Sequence, residues 1–206
     1  MLDVAAILLA AGQSRRMGAF KPLLPFGDKT VIESCIDYLR AGGAWPIVVV
    51  IGNRGEDVRA KLADAPVVFA VNPDPASEMN ASIACGISRL PASARATLIA
   101  LTDQPAIPAS VVAALIEEWR SEAKLVKPDF AGHGGHPVLA DLSLRAELLS
   151  LDPQRGLKAL FDAHQTEVSR VSVDSPYIAR DMDTWDDYLA LHREVFGVEP
   201  AALRND

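Results

Sequence analysis

Residues Leu9 to Lys21 read LAAGQSRRMGAFK. Two glycines, small alanines, a serine and three cations follow directly on an apolar run, a composition suited to gripping phosphate. Small residues let the backbone approach a ligand closely, and successive N–H groups in such a turn bind phosphate oxygens. Arg16 and Lys21 would place fixed positive charge where negative charge builds on the oxygens of a pentavalent phosphorus centre. The plainer alternative is a surface turn whose cations face solvent, since glycine-rich loops after strands are common. Two familiar phosphate loops do not fit. A Walker A loop needs lysine directly after its second glycine, whereas Gly18 is followed by Ala19 and Phe20, and Gly12 lacks the further glycines of a dinucleotide fingerprint.

Leu101 to Pro105 reads LTDQP, an aspartate at the end of an apolar strand. A carboxylate there, aimed at a triphosphate, is a natural ligand for Mg²⁺, which bridges phosphate oxygens and keeps several of its waters. Asp103 is therefore the candidate metal ligand, with a turn or cap aspartate as the alternative. Gly132 to Leu139 reads GHGGHPVL, but the spacing of His133 and His136 on a glycine loop fits no common zinc pattern. Arg155 and Lys158, in LDPQRGLK, are two nearby cations that an anionic ligand could meet.

The elements that would hold these residues alternate regularly. Val4 to Ala10 is a continuous apolar run, the pattern of a strand buried on both faces. Thr30, with Glu33 as its capping-box partner, opens a helix to Ala41 that Gly42 and Gly43 stop. Further strands are expected at 46–51, 67–71 and 97–101, with helices over 58–63 and 82–90 between them. Ser82 and Ser110 read as helix caps, the latter for a helix to about Ser121, and a strand is expected over 124–127. A small β excursion or flap should occupy about 128–140. Asp152 and Pro153 suggest a helix start running to about His164, 166–173 alternates like an edge strand, and Thr184 caps a final helix to about Phe196. Strands and helices at this spacing demand crossovers, which predicts an α/β chain: a Rossmann-like three-layer αβα sandwich with a mostly parallel sheet. Ligands in such sheets settle at the carboxyl ends of the strands, where strand order switches.

Composition narrows the function. The 206 residues are 50% hydrophobic and 23% charged, which excludes a disordered chain and fits one domain. A net charge of −7 offers no basic field for a nucleic-acid backbone or an anionic membrane. The first apolar run is too short to cross a bilayer, and Cys35 and Cys85 form no CxxC pair, so a reducing, cytoplasmic setting is expected.

The first loop resembles the signature LAAGxSxRMGxxK of the nucleotidyltransferases that include molybdenum cofactor cytidylyltransferase and guanylyltransferase. Leu9, Ala10, Ala11, Gly12, Ser14, Arg16, Met17, Gly18 and Lys21 all match, and KPLLP continues the likeness. The resemblance implies the nucleotide-diphospho-sugar transferase type of fold over residues 1–206. The half to about 108 would bind the nucleotide and 109–198 the acceptor. It implies that the first loop, from Leu9 to Ser14, holds nucleotide phosphates that Arg16 and Lys21 neutralise. LTDQP resembles the family's LxDQP, which supports Mg²⁺ on Asp103. NPDPASEMNAS resembles NPxxxxGMxxS and would set Ser82 beside base and ribose. Glu78 stands there in place of a glycine, and a positive φ at that position would strain the turn. DMDT is close to the family's DIDT and nominates Asp183 as a second metal ligand, and the GHP run nominates His136 as an acceptor contact. Arg155 lies in an altered version of the family's GDxGAR run. The reaction implied is transfer of CMP from CTP, LAAG in place of LAGG favouring cytidine, to a phosphate-bearing acceptor, molybdopterin or its molybdenum-loaded form. A molybdoenzyme would be the eventual recipient. The rivals are transfer to a sugar or polyol phosphate, and a nucleotide-binding protein that delivers a cofactor without turnover.

Overall fold

The computed structural model describes residues 3–12, 17–74 and 78–200. Ten strands and seven α-helices follow in chain order: β1 Val4–Ala10, β2 Pro25–Phe26, β3 Lys29–Thr30, α1 Val31–Ala41, β4 Ile47–Ile51, α2 Gly55–Lys61, β5 Val68–Val71, α3 Met79–Ser88, β6 Ala96–Leu101, α4 Ala109–Arg120, β7 Leu125–Phe130, β8 His133–Gly134, β9 Val138–Asp141, α5 Arg145–Leu149, α6 Leu157–Ala163, β10 Val168–Ser172 and α7 Trp185–Phe196. The main sheet runs β10-β7-β9-β6-β1-β4-β5, with β8 hairpinned onto β7, while β2 and β3 form a separate ribbon. β1 pairs in parallel with both β4 and β6, so the expected mostly parallel αβα sandwich is present.

Alternation along β1 explains why the run had to be apolar throughout. Val4, Ala6, Leu8 and Ala10 face a cluster with α1 and α4, while Ala5, Ile7 and Leu9 face one with α3, α5 and α6. Small residues bring the layers close: a Cβ on Gly86 of α3 would lie 2.5 Å from Ile7. A third cluster packs α7 against the β2–β3 ribbon through Phe26, Met182, Tyr188 and Leu191. Both capping boxes form as the residue types require: Thr30 N–H donates to Glu33 Oε2 at 2.8 Å, and Thr184 N–H to Asp187 Oδ2 at 2.9 Å. Among the described residues no helix is long and apolar enough to cross a membrane.

Several expected boundaries move, each for a local reason. α3 begins at Met79 with Glu78 as its cap, so Ser82 is not a cap and lies inside the helix. α4 starts after Pro108 and does not wait for Ser110, because Pro108 already holds an extended φ of −69° and ψ of 145°. The helix expected from Pro153 starts only at Leu157. Asp152 Oδ1 accepts instead from the N–H groups of Gln154 and Arg155 at 2.8 and 2.7 Å, a side-chain turn that competes with helix. The 128–140 excursion divides. β8 is the expected hairpin arm, but β9 enters the sheet between β6 and β7, antiparallel to both. α5 was not anticipated.

Candidate functional site

Strand order reverses about β1, whose partners β6 and β4 lie on either side, and this opens a crevice at the carboxyl ends of β1 and β6. Leu9 sits opposite Leu101 in the ladder, so the loops carrying the first motif and LTDQP leave the sheet side by side. Thr102 binds them together: its N–H and Oγ1 both donate to the Leu9 carbonyl, at 3.3 and 2.7 Å. Leu9 and Ala10 are buried strand residues whose side chains serve packing. A Cβ on Gly52, after β4, would come within 2.9 Å of the Ala11 carbonyl, so that glycine allows the loop after β4 to lie against the first motif. Among the described residues a Cβ on Gly12 would meet nothing within 4 Å, so none of them calls for glycine there. Ser14 and Arg16 lie outside the described residues.

Lys21 opens a short 3₁₀ turn and projects its ammonium onto Asp183, with Nζ to Oδ1 at 2.8 Å; the lysine side chain is 12% exposed and the aspartate 42%. Two cationic and acidic candidates far apart in sequence are thereby joined. Asp103 lies in the same electrostatic cluster. Burial pushes its carboxyl up to about 6, the charge of Asp181 adds to this, Lys21 opposes it, and Asp183 raises it further. Asp103 Oδ1 is buried with no hydrogen-bond partner, and its carbonyl accepts from Met182 N–H at 3.0 Å. Among the described residues no three ligating side chains form a ready metal cage. A hard divalent cation does not need one, because it keeps waters and takes one or two carboxylates together with substrate phosphate oxygens. An orphaned buried carboxylate oxygen beside further acidic groups fits such an ion, with Asp103 and Asp183 as the residues that would hold it.

His136 approaches from the start of β9. Its N–H donates to the Ile178 carbonyl at 2.8 Å, and its Nδ1 lies 3.3 Å from the Ile99 carbonyl. Facing a carbonyl, Nδ1 carries the proton, which leaves Nε2 as the ring's acceptor. Burial pulls the His136 pKa down, so the ring is neutral near pH 7. Ser82 is buried in α3, where its hydroxyl accepts from Asn72 Nδ2 at 2.9 Å. Asn72 N–H donates in turn to Ile51, so this pair fixes the β5–α3 loop beside β4. Glu78 has φ −71°, and no left-handed turn is forced on it. Arg155 is not brought to this cluster by any contact; it is exposed and paired with Asp162.

Sequence reasoning passed over Thr102, Asn72, Gln104 and Asp181. All four stand in motifs already singled out, and the polar residue types were the available signal.

A family model described as the MobA-like NTP transferase domain matches residues 6–168. The protein named nicotine blue oxidoreductase of Paenarthrobacter nicotinovorans is 30% identical over 155 residues, covering 71% of this chain and 75% of its own. The Rv0371c protein of Mycobacterium tuberculosis superposes with a TM-score of 0.84 at 27% identity, over 93% of this chain and 98% of that one. A second structure of it, in complex with manganese, gives 0.80 over 94% and 100% at the same 27% identity. Molybdopterin-guanine dinucleotide biosynthesis protein A of Archaeoglobus fulgidus shares the fold, with a TM-score of 0.68 at 17% identity over 93% of this chain and 97% of that one.

Proposed function

The chain belongs to the MobA-like NTP transferase family of nucleotidyltransferases, and on that premise we propose that it transfers CMP from CTP to a phosphate-bearing acceptor, molybdopterin or its molybdenum-loaded form. An oxygen of the acceptor phosphate attacks the α-phosphorus in line. The bond from that phosphorus to the β-phosphate oxygen breaks, and pyrophosphate leaves. No protein nucleophile is required, so positioning and charge neutralisation carry the catalysis. Lys21, with Arg16, neutralises the phosphates as they gather charge. Asp103 and Asp183 hold the divalent cation, which when bound offsets phosphate charge. The backbone from Leu9 through Gly12 to Ser14 cradles the triphosphate, and Ser82 borders the nucleoside through the loop it fixes. The residues to about 108 form the nucleotide half, and 109–198 the acceptor half, with His136 facing the acceptor and Arg155 at its anionic end. Ala11 is the residue that favours cytidine. The nucleotidylated cofactor would pass to a molybdoenzyme.

One observation supports this reading above the rest: a buried carboxylate oxygen without a hydrogen-bond partner, Asp103 Oδ1, stands in one cluster with a lysine at the topological switch of the sheet. The test is pyrophosphate release across a panel of NTPs with Mg²⁺ or Mn²⁺ and molybdopterin, repeated with Lys21→Ala and Asp103→Ala. CTP-dependent release lost in both variants is the expected result. Turnover that survives both substitutions overturns the mechanism, and equal use of GTP overturns the role of Ala11.

The relative named as an oxidoreductase motivates a second reading, a redox reaction in the same cleft. That reading needs an electron donor. Its consumption by the protein, without pyrophosphate release, would replace the transferase assignment.

A further inference from the structure

Gln104 is the most deeply buried polar side chain near the cluster, at 3% exposure. Its amide nitrogen donates to two acceptors, Asp181 Oδ1 at 2.7 Å and the Ile178 carbonyl at 3.3 Å. Two acceptors on one side determine the orientation of the amide, since only the nitrogen can donate. Oε1 then faces away from them, buried and without a partner. The Ile178 carbonyl is a junction in its own right. It also accepts from His136 N–H at 2.8 Å, and a Cβ on Gly135 would lie 1.9 Å from it. One residue beyond Asp181, the Met182 N–H donates to the Asp103 carbonyl at 3.0 Å. Asp181 is thus held by its side chain and through its chain neighbour, both holds coming from the LTDQP loop.

We propose that Gln104 is a positioning residue of the cation site: its amide holds the Asp181 carboxylate facing Asp103 and ties the loop carrying His136 to the same point. The carboxylates of Asp103, Asp181 and Asp183 repel one another, and left to themselves they would separate into solvent. A neutral donor that is itself immobilised by burial keeps Asp181 in place without cancelling the charge a cation needs. With Asp181 counted beside Asp103 and Asp183 among the groups facing the cation, Gln104 stands one step out from the metal, where such partners are commonly worth 10–100-fold in metal affinity.

The inference rests on the cation site of the proposed function, and the experiment separates the two. Mn²⁺ is titrated into the full chain and free ion is followed by its electron paramagnetic resonance signal, for wild type, Asp103→Asn, Gln104→Met, Asp181→Asn and the Gln104→Met/Asp181→Asn double variant. Asp103→Asn should abolish binding, and Gln104→Met should weaken it about 10–100-fold. The double variant should bind no worse than Asp181→Asn, because Gln104 acts through Asp181. Gln104→Met within twofold of wild type, or losses that simply add in the double variant, would overturn the proposal. Asp181 is exposed, so Asp181→Asn should fold even if Gln104→Met does not, and unchanged affinity in that variant also overturns it. Wild-type affinity in Asp103→Asn would instead remove the cation site, and the inference with it.

Discussion

The two ends of the sheet both carry charged side chains and treat them in opposite ways. At the amino-terminal ends of β1, β6 and β7, charged side chains rim a cavity of about 320 Å³, and its Asp3 and Asp141 carboxylates are both met. Asp141 accepts from Trp119 Nε1 and Ser143 N–H, both at 2.8 Å, and these donors hold its carboxyl below its ordinary range against the opposing effect of burial. Asp3 faces Arg120 at 3.8 Å, and Lys124 pairs with Glu167 at 2.5 Å. His164 is gripped between Glu167 at 2.7 Å and Glu147 at 2.8 Å. At the carboxyl-terminal ends of β1 and β6, burial and acidic neighbours push Asp103 up, and both its Oδ1 and Gln104 Oε1 go without partners. A buried polar atom left unpaired is costly, and a fold tolerates it where a ligand completes the set. The saturated end is scaffold, and the unsaturated end is where the molecule awaits something.

Substitutions at the two ends should therefore differ in kind. The largest effect is on turnover: Lys21→Ala and Asp103→Asn should each lower nucleotidyl transfer by about 10²–10³-fold, the usual scale for a single group that stabilises developing charge. The same Asp103→Asn should stabilise the fold. A carboxyl whose pKa rises from 3.8 to about 6 on folding favours the folded state while protonated, and this benefit disappears as pH rises between those values. At pH 7.5 the wild type bears an ionic penalty on the order of 2–3 kcal/mol, at about 1.4 kcal/mol per pH unit. Thermal melts should show the variant several degrees more stable at pH 7.5 and near wild type at pH 4. Unchanged or lower stability at pH 7.5 would break the contrast between the two ends.

Asp141→Asn is the matched substitution at the saturated end, with the opposite sign expected. Its pKa is lowered on folding, so its contribution is present above the unfolded pKa and is lost as pH falls through the folded value. Melting at pH 7.5 should register a loss of about 1 kcal/mol, with turnover unchanged. The smallest effect belongs to His164, whose pKa is raised chiefly by hydrogen bonds to Glu147 and Glu167. That gain is complete below about pH 6.5 and fades as pH rises through the raised value. His164→Gln should accordingly narrow the difference in melting temperature between pH 5.5 and pH 8.5, and an unaltered difference would show that the pair contributes nothing.

Much of the architecture was legible because it depends on local signals. A run such as Val4–Ala10, apolar at every position, has no other home than the middle of a covered sheet. The boxes at Thr30 and Thr184 state where α1 and α7 begin. Asp152 misled because the same side chain that caps a helix also closes a turn, and nothing nearby decides between them. The insertion of β9 between β6 and β7 was not visible, since the direction of a strand in a sheet is set by partners distant in sequence. The site divides in the same way. Lys21, Asp103 and Asp183 were readable as types within motifs, but the ion pair of Lys21 with Asp183 spans 162 positions and the hydrogen bond of Gln104 to Asp181 spans 77. Neither meeting is written in a local pattern. Glu78 shows the converse: the strain feared from a missing glycine does not arise, because its backbone is extended.

Because β9 runs against its neighbours, the chain returns between β7 and β9 to the rim at the carboxyl end of β6 and leaves again, anchored by ladders on both sides of the visit. Residues 131–134 pair with β7 alone and can be exchanged without shifting the register of any other strand, while Gly135 and His136 stay fixed against the Ile178 carbonyl. On the proposed acceptor role of His136, rewriting that short stretch alone would change the second substrate.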